Sequence, residues 1–391
     1  MKYDFSSLID RRNTNSLKWD VKDNELPMWV ADMDFQTAPE IIETVTAKAK
    51  KGVYGYTIVS DEWYNSISTW WKNRHNFKIN QDWLIFSIGV VPAISSIIRK
   101  LTTVAENVVV QTPVYNIFFN SIVNNGRHIL ENKLVFDGVK YKIDFQDLAE
   151  KLADPETKMM ILCNPHNPIG KIWDRETLAK IGELCYKNNV IVLSDEIHCD
   201  LTDPEYQYIP FASVSEHCRI NSVSCLAPSK AFNMAGIHTA AVVVPNQALR
   251  NRVEWGLNTD EVAEPNLFAV EAAIAAFKSG ADWLDQLRVY LAQNKEIVRE
   301  YIAEELPDLY LLPAHATYLL WINCSSITTD TKELCDFIRF QTGLYLSAGE
   351  VYGGDGNEFV RLNIACPAAR LKDGLQRLKK GIKLYKEQLN N

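Results

Sequence analysis

The sequence lacks the cysteine and histidine patterns that bind metals or build disulfide frameworks. Its eight cysteines form no C-x-x-C pair, and its seven histidines include no H-E-x-x-H motif. We therefore expect free thiols in a reducing compartment, a cytoplasmic location and no metal site.

Long apolar runs and an excess of basic residues are also missing. No stretch of about 18 uninterrupted apolar residues occurs, and the start MKYDFSSLIDRRNTN has no apolar segment of the kind that a secretion signal needs. The 41 Lys and Arg residues are outnumbered by 49 Asp and Glu residues, which gives a net charge of −8. The sequence therefore predicts no membrane span, no secretion and no nucleic-acid partner.

The chain does contain apolar strands that alternate with amphipathic helices. Its 391 residues, 47% of them hydrophobic, exceed what one core usually serves and predict two domains. Strands of a mostly parallel α/β sheet are predicted at 83–87, 107–111, 159–163, 190–194, 222–225 and 239–244. Helices are predicted at 175–188, at 264–291 with a break at Ser279 and Gly280, at 290–306 and at 368–388.

Five residues stand where α/β enzymes place ligand-binding groups, after predicted strands or within them. Gly89 precedes a predicted helix, whose first backbone N–H groups can bind a phosphate. Asn167 lies in a loop with two Asn-Pro steps, and Asp195 follows an apolar strand, where a buried carboxylate needs a cationic partner. Lys230 follows a proline-marked turn and is a candidate Schiff-base amine, whereas Arg361 offers a planar fork to a carboxylate. Each of them alone also has an ordinary structural explanation.

In their order and spacing, these features resemble the fold-type-I (class I/II aminotransferase) superfamily of pyridoxal-phosphate enzymes over essentially the whole chain. Local patterns are similar to its MalY/PatB branch of cystathionine β-lyases or C-S lyases: WVADMDF, VYGYT, GVVPAIS, NPHNP, SDEIHCDL and PSKAFNMAG. His198 stands where many aminotransferases have a tyrosine, as it does in the lyase branch. The resemblance implies the α/β PLP-dependent transferase fold, with a large cofactor-binding domain at 46–288, a small α+β domain at 289–391, and an N-terminal segment at 1–45 that packs with the small domain.

The resemblance also implies roles for residues of the expected site. Lys230 would bind pyridoxal 5′-phosphate as a Schiff base and move the Cα proton, Asp195 would keep the pyridine nitrogen protonated, and Arg361 would bind the substrate carboxylate. The other expected cofactor contacts are Gly89, Val90, Val91, Tyr115, Asn167, His198, Ser229 and His238. Tyr56 is expected to reach the neighbouring active site of a homodimer, for catalysis and substrate binding there.

Two positions depart from the wider superfamily at the phosphate end of the cofactor. His238 stands where many members have an arginine, and Ala227 stands where many have a serine. Phosphate binding is therefore expected to depend on backbone amides and hydroxyls, or on a partly charged His238.

The function implied by the lyase branch is α,β-elimination of L-cystathionine or a related L-cysteine S-conjugate. The expected products are a thiol such as homocysteine, or sulfide, together with pyruvate and ammonia. A class I/II aminotransferase is the alternative, because it uses the same Lys230, Asp195 and Arg361. The branch also includes a protein that acts on a transcriptional regulator by contact, so a regulator-binding protein with secondary lyase activity is a third hypothesis.

Overall fold

The computed structural model describes residues 2–390, which form twelve α-helices and fifteen β-strands. The helices are α1 (Pro39–Lys50), α2 (Asp61–His75), α3 (Val90–Leu101), α4 (Ile117–Val123), α5 (Phe145–Ala153), α6 (Arg175–Lys187), α7 (Glu216–Ile220), α8 (Gln247–Thr259), α9 (Ala269–Ser279), α10 (Ala281–Glu305), α11 (Thr331–Thr342) and α12 (Ala368–Leu389). The strands are β1 (Leu26–Pro27), β2 (Leu84–Ser87), β3 (Asn107–Val110), β4 (His128–Glu131), β5 (Val135–Phe136), β6 (Tyr141–Lys142), β7 (Thr157–Cys163), β8 (Ile191–Asp195), β9 (Ser222–Leu226), β10 (Ala240–Val243), β11 (Tyr310–Leu311), β12 (Leu319–Asn323), β13 (Leu344–Tyr345), β14 (Ser347–Ala348) and β15 (Phe359–Asn363). Short 3₁₀ turns lie at Gln81–Trp83, Phe211–Ser213, Ala235–Ile237, Gly349–Tyr352 and Gly356–Glu358.

The largest sheet has seven strands in the order β2-β10-β9-β8-β7-β3-β4. Neighbours from β9 to β4 pair in parallel, whereas β10 runs antiparallel to both β2 and β9. The predicted strands are present and the mostly parallel α/β fold is confirmed. Because β10 runs in the opposite direction, Ala240 at its start pairs with Ser87 at the end of β2. The residues before β10 therefore lie at the edge of the sheet where the other strands end.

Helices cover both faces of this sheet, which explains why its central strands are apolar throughout. On one face, Val108 and Ile161 pack with apolar residues of α3 and α8. On the other face, Val109 and Leu162 pack with apolar residues of α5 and α6. This alternation follows from the two-residue period of a strand, and it leaves the strand ends as the place for polar groups.

A second sheet, antiparallel and four-stranded in the order β11-β12-β15-β14, lies in the last third of the chain. The N-terminal segment joins this part of the molecule, because Leu26 and Pro27 of β1 pair in parallel with Leu344 and Tyr345 of β13. No helix within residues 2–390 is both long enough and apolar enough to cross a membrane.

The predicted helices match α6, α9, α10 and α12, with one correction at the start of α9. The break predicted at Ser279 and Gly280 is confirmed, and a Cβ at Gly280 would lie 2.4 Å from the Phe232 ring. The helix predicted from residue 264 begins only at Ala269, so the prediction was wrong for residues 264–268. The Asn266 side chain accepts a hydrogen bond from the Phe268 N–H there, in a turn that follows Pro265.

Candidate active site

The strand ends of the seven-stranded sheet surround a cavity of about 190 Å³. All the residues that the sequence predicted as cofactor contacts line it: Gly89, Val90, Val91, Tyr115, Asn167, Asp195, His198, Ser229, Lys230 and His238. The fold brings these distant residues together because β2, β7, β8 and β9 all end at this edge and β10 begins there. The cavity is therefore the candidate active site.

One end of the cavity is suited to an anion. Gly89 precedes the twelve-residue helix α3, and the first backbone N–H groups of a helix have no intrahelical acceptor. The positive end of the helix dipole thus faces the cavity beside Val90 and Val91. A Cβ at Gly89 would lie 3.2 Å from Cδ of Pro92, so a side chain there would crowd the turn.

Asp195, at the end of β8, is a buried carboxylate in the wall of the cavity. Its Oδ1 accepts a hydrogen bond of 3.1 Å from the Ile197 N–H. Burial raises the pKa of Asp195 to about 7, which this hydrogen bond and the charge of Lys230 only partly oppose. A buried carboxylate with so little compensation is a good partner for a ligand cation, such as a protonated pyridine nitrogen.

The buried carboxylate of Asp195 predicts a pH-dependent stability of the cofactor-free protein. Its folded-state pKa is raised, so its stabilising contribution is present at low pH and is lost as pH rises towards 7. We expect Asp195→Asn to stabilise the cofactor-free protein, with a benefit that grows by about 2 kcal/mol between pH 5.5 and 8. Urea unfolding at both pH values tests this, and a benefit that does not change with pH would contradict it.

Tyr115, Asn167 and His198 also line the cavity. Burial raises the pKa of Tyr115 to about 12, so its hydroxyl stays protonated. Burial lowers the pKa of His198 to about 3, so the ring is neutral at physiological pH. Its Nδ1 is buried and has no hydrogen-bond partner within residues 2–390. Because His198 lines the cavity, this nitrogen is available to a bound ligand.

Arg361 lies on β15, beside the cavity, and is only 5% exposed. Its Nη1 donates to Asn167 Oδ1 at 3.2 Å, and its Nη2 donates to the Trp29 carbonyl at 2.9 Å. The Tyr352 ring lies 4.8 Å from its Cζ, which adds a cation–π contact. The guanidinium is thus fixed in orientation, as a carboxylate-binding group must be.

Tyr56 is the one predicted site residue that lies away from the cavity of its own chain. Its side chain is fully exposed, with a relative exposure of 104%. The nearby apolar residues Val53, Tyr54 and Ile58 are also exposed. A contiguous exposed apolar segment is typical of an interaction surface.

Several residues at or near the cavity were not predicted as site residues, and three of them bear on its chemistry. Ala31 and Thr239 line it, and the Thr239 Oγ1 is buried without a hydrogen-bond partner in the part of the chain that the structure describes. The buried Tyr318 ring lies 6.4 Å from the His198 ring. The position of Thr239 directly after His238 was the available signal. Ala31 lies in the WVADMDF pattern, to which no role had been given.

Three potential metal ligands lie close together near His198, and two of them, Cys199 and Asp200, follow it directly in the chain. Ligand atoms of His75, Cys199 and Asp200 lie within 4.8 Å of one another. The two Asp200 oxygens already accept hydrogen bonds from Trp70 Nε1 at 3.0 and 3.1 Å, and His75 Nε2 lies 2.9 Å from Oδ1. These contacts tie the turn to α2 and give the carboxylate a structural role.

A larger cleft of about 750 Å³ opens beside this group. Its charged residues are paired with one another, since Asp285 Oδ1 lies 2.5 Å from Arg74 and 3.3 Å from Arg288. Size therefore does not identify the active site here. The smaller cavity has the buried, under-compensated polar groups that catalysis needs.

Comparisons with known proteins agree with the geometry. Residues 26–378 match the family Aminotransferase class I and II. The chain is 40% identical over 382 residues to cystathionine beta-lyase PatB of Bacillus subtilis (strain 168). This match covers 96% of this chain and 98% of that protein. It is 32% identical over 381 residues to protein MalY of Escherichia coli (strain K12), and this match covers 95% of this chain and 97% of that protein.

A solved structure gives the same result for the fold. The crystal structure of cystalysin from Treponema denticola, which contains a pyridoxal 5′-phosphate cofactor, superposes with a TM-score of 0.94. The two chains are 33% identical, and the match covers 98% of this chain and 99% of that one.

Proposed function

This chain belongs to the aminotransferase class I and II family, and we propose that it is a pyridoxal-phosphate-dependent carbon–sulfur lyase acting on L-cystathionine or related L-cysteine S-conjugates. The observation that carries the proposal is the near full-length similarity to relatives named cystathionine beta-lyase. The site agrees with it, because Lys230, Asp195 and His198 line one cavity.

The residues present fit pyridoxal phosphate at both ends of the cavity. Asp195 is a buried carboxylate that requires a cation, and the pyridinium nitrogen supplies one. The start of α3 offers backbone N–H groups to the phosphate. The Thr239 hydroxyl, which has no hydrogen-bond partner among residues 2–390, directly follows His238 in the chain. His238 and Ala227 stand where many members of the wider superfamily have an arginine and a serine. We propose that Thr239, with Ser229, completes the phosphate site.

The lining of the cavity supports further proposed cofactor contacts. Tyr115 offers a ring to stack on the pyridine plane, and Asn167 and His198 offer polar atoms to its edge. Lys230 supplies the amine that binds the cofactor covalently. When bound, pyridoxal phosphate supplies an electron sink for the charge that develops at the substrate Cα.

Lys230 is proposed to remove the substrate Cα proton. Burial lowers its pKa to about 8, so a substantial fraction of the amine is neutral at slightly alkaline pH and can act as a base. Arg361 would hold the substrate carboxylate and so orient the Cα–H bond towards Nζ. The Cβ–S bond then breaks, its electron pair leaves with sulfur, and the sulfur takes up a proton. Hydrolysis of the remaining three-carbon fragment gives pyruvate and ammonia.

The experiment that tests this function distinguishes elimination from amino-group transfer. Purified protein loaded with pyridoxal phosphate is incubated with a panel of L-cysteine thioethers, without any 2-oxo acid. We expect pyruvate, ammonia and free thiol to be released from at least L-cystathionine. An aminotransferase would instead need an added 2-oxo acid for sustained turnover. Absence of elimination from every thioether would refute the lyase proposal.

We further propose a homodimer with shared active sites. The support is the exposed segment with Val53, Tyr54, Tyr56 and Ile58, which a second copy of the chain would cover. In this arrangement Tyr56 of one subunit reaches the cavity of the other, where it binds substrate or assists proton transfer.

Mixed dimers test whether sites are shared. A dimer of one Lys230→Ala subunit and one Tyr56→Phe subunit has one site with both native residues. We expect each variant alone to be impaired and random mixing to restore about one quarter of the native activity, because half the dimers carry one intact site. Refolding the two variants together and measuring pyruvate release checks this. Activity no higher than the average of the two separate variants would contradict sharing.

Two further proposals concern domains and location. A division into residues 46–288 and 289–391 is supported by the separate seven-stranded and four-stranded sheets, although α10 runs through the boundary. Packing of residues 1–45 on the smaller domain is supported by the β1–β13 pairing. A cytoplasmic location is supported by the eight cysteines, which are all free and buried.

A further inference from the structure

Residues 29–35, here called the strap, have no regular secondary structure but are tied down from two sides. On the side of the large sheet, Asn233 Oδ1 accepts a hydrogen bond of 3.1 Å from the Met33 N–H. Asn233 Nδ2 donates to the Met33 carbonyl at 3.1 Å and to the Phe35 carbonyl at 2.8 Å. From β15, Asn363 Nδ2 donates to the carbonyls of Val30 at 2.6 Å and Asp32 at 2.8 Å. The strap backbone is therefore a fixed wall of the active site.

The strap touches the catalytic amine directly. Lys230 Nζ donates a hydrogen bond of 2.7 Å to the Ala31 carbonyl. The next residue, Asp32, is held by a two-pronged contact with Arg11, whose Nη1 and Nη2 donate to Oδ1 at 2.8 Å and Oδ2 at 2.9 Å. Arg11 is itself fixed, because it also donates to the Met33 carbonyl at 2.9 Å. The Asp32 carboxylate thus has a defined orientation next to the residue that holds the amine.

The Lys230 amine is surrounded by a small set of charged or titratable groups. Asp32 and Asp195 are negative when ionised, Arg361 is positive, and His198 is neutral because burial lowers its pKa to about 3. Burial lowers the pKa of Lys230 to about 8, and the Asp32 carboxylate is the strongest influence in the opposite direction. Asp32 therefore acts on this amine in the same direction as Asp195, the residue expected to bind the cofactor nitrogen.

We propose that Arg11 and Asp32 form a positioning pair, in which the arginine orients the Asp32 carboxylate next to the Ala31 carbonyl that accepts the Lys230 hydrogen bond, and so sets the charge that acts on this amine. The inference deepens the proposed function and rests on it, since it concerns the same lysine. Asp32 acts by its charge, and Arg11 both orients and partly neutralises that charge. The two halves of the pair are thus expected to influence Lys230 in opposite directions.

The test measures how fast the cofactor-free full-length protein takes up pyridoxal phosphate. Only a neutral amine attacks the cofactor aldehyde, so the rate constant for the growth of the visible absorbance band rises with pH, and its midpoint follows Lys230. We expect Asp32→Asn to move this midpoint down by roughly one pH unit, because a nearby negative charge is lost. We expect Arg11→Gln to move the midpoint up. Asn363 still holds the Asp32 backbone in this variant, whereas the Asp32 carboxylate loses the positive charge of Arg11.

Controls separate a charge effect from a loosened strap. Asp20→Asn removes an exposed carboxylate of the same N-terminal segment and should leave the midpoint unchanged. Shifts in the same direction for Asp32→Asn and Arg11→Gln, or no shift in either, would overturn the proposal. If Asp32→Asn does not fold, as judged by circular dichroism, the sign of the Arg11→Gln shift decides. An unaltered protein that gains no absorbance band refutes the proposed function instead, so the two failures are distinguishable.

Discussion

Replacing Lys230 with alanine is expected to lower the rate of pyruvate release from L-cystathionine by roughly 10³-fold or more. A positioned general base contributes about 10²- to 10⁴-fold, and we also propose this lysine as the covalent attachment point of the cofactor. The loss should appear in kcat, because removal of the Cα proton is the step that we propose for Lys230. Steady-state kinetics with excess pyridoxal phosphate would measure it.

The control for this variant is a lysine of the same chain that lies far from the cavity. Lys187 is exposed and pairs with Glu183 on the surface of α6, so Lys187→Ala should keep native kinetics. We expect borohydride reduction to fix the cofactor covalently to the native protein and not to Lys230→Ala. A Lys230→Ala variant that retained more than about one tenth of native kcat would exclude this lysine as the base.

Replacing Arg361 with alanine is expected to raise KM for the substrate strongly and to lower kcat/KM by about two to four orders of magnitude. A two-pronged bond to a carboxylate consists of two charge-assisted hydrogen bonds, each with a net contribution of about 1.5 to 3 kcal/mol. The arginine is buried and fixed by Asn167 and Trp29, so its fork is oriented before substrate arrives. Kinetics with L-cystathionine would separate the change in KM from that in kcat.

Arg361→Lys is the matched variant, because it keeps the positive charge and loses the planar fork. We expect it to recover only part of the lost kcat/KM. If Arg361→Ala changed kcat/KM less than about fivefold, the carboxylate would be bound elsewhere and the assignment would be wrong.

The central sheet and most of the site could be predicted from sequence for a physical reason. Strands covered on both faces are continuous apolar runs, so polar residues at their ends stand out. Asp195 and Asn167 were found in this way. Lys230 and Arg361 were identified as candidate site residues from the order and spacing of the motifs in the chain. The structure adds that their side chains surround one cavity or contact one another.

Other features leave no periodic signal in the sequence. The antiparallel direction of β10 depends on its connection to β9, because an apolar strand reads the same in both directions. The contact of Lys230 with Ala31 joins residues 199 positions apart, one of them in a segment without secondary structure. The pairing of Arg11 with Asp32 likewise depends on tertiary folding of the N-terminal segment. Such contacts become visible only when the chain is folded.

The most direct test of the central claim is the product balance of the native protein with L-cystathionine as the sole substrate. Pyruvate, ammonia and homocysteine are measured together over many turnovers, along with the amino form of the cofactor. Our account predicts that the three products form in equal amounts and that the cofactor stays in its aldehyde form. Conversion of the cofactor to the amino form, with no pyruvate and no thiol, would contradict it.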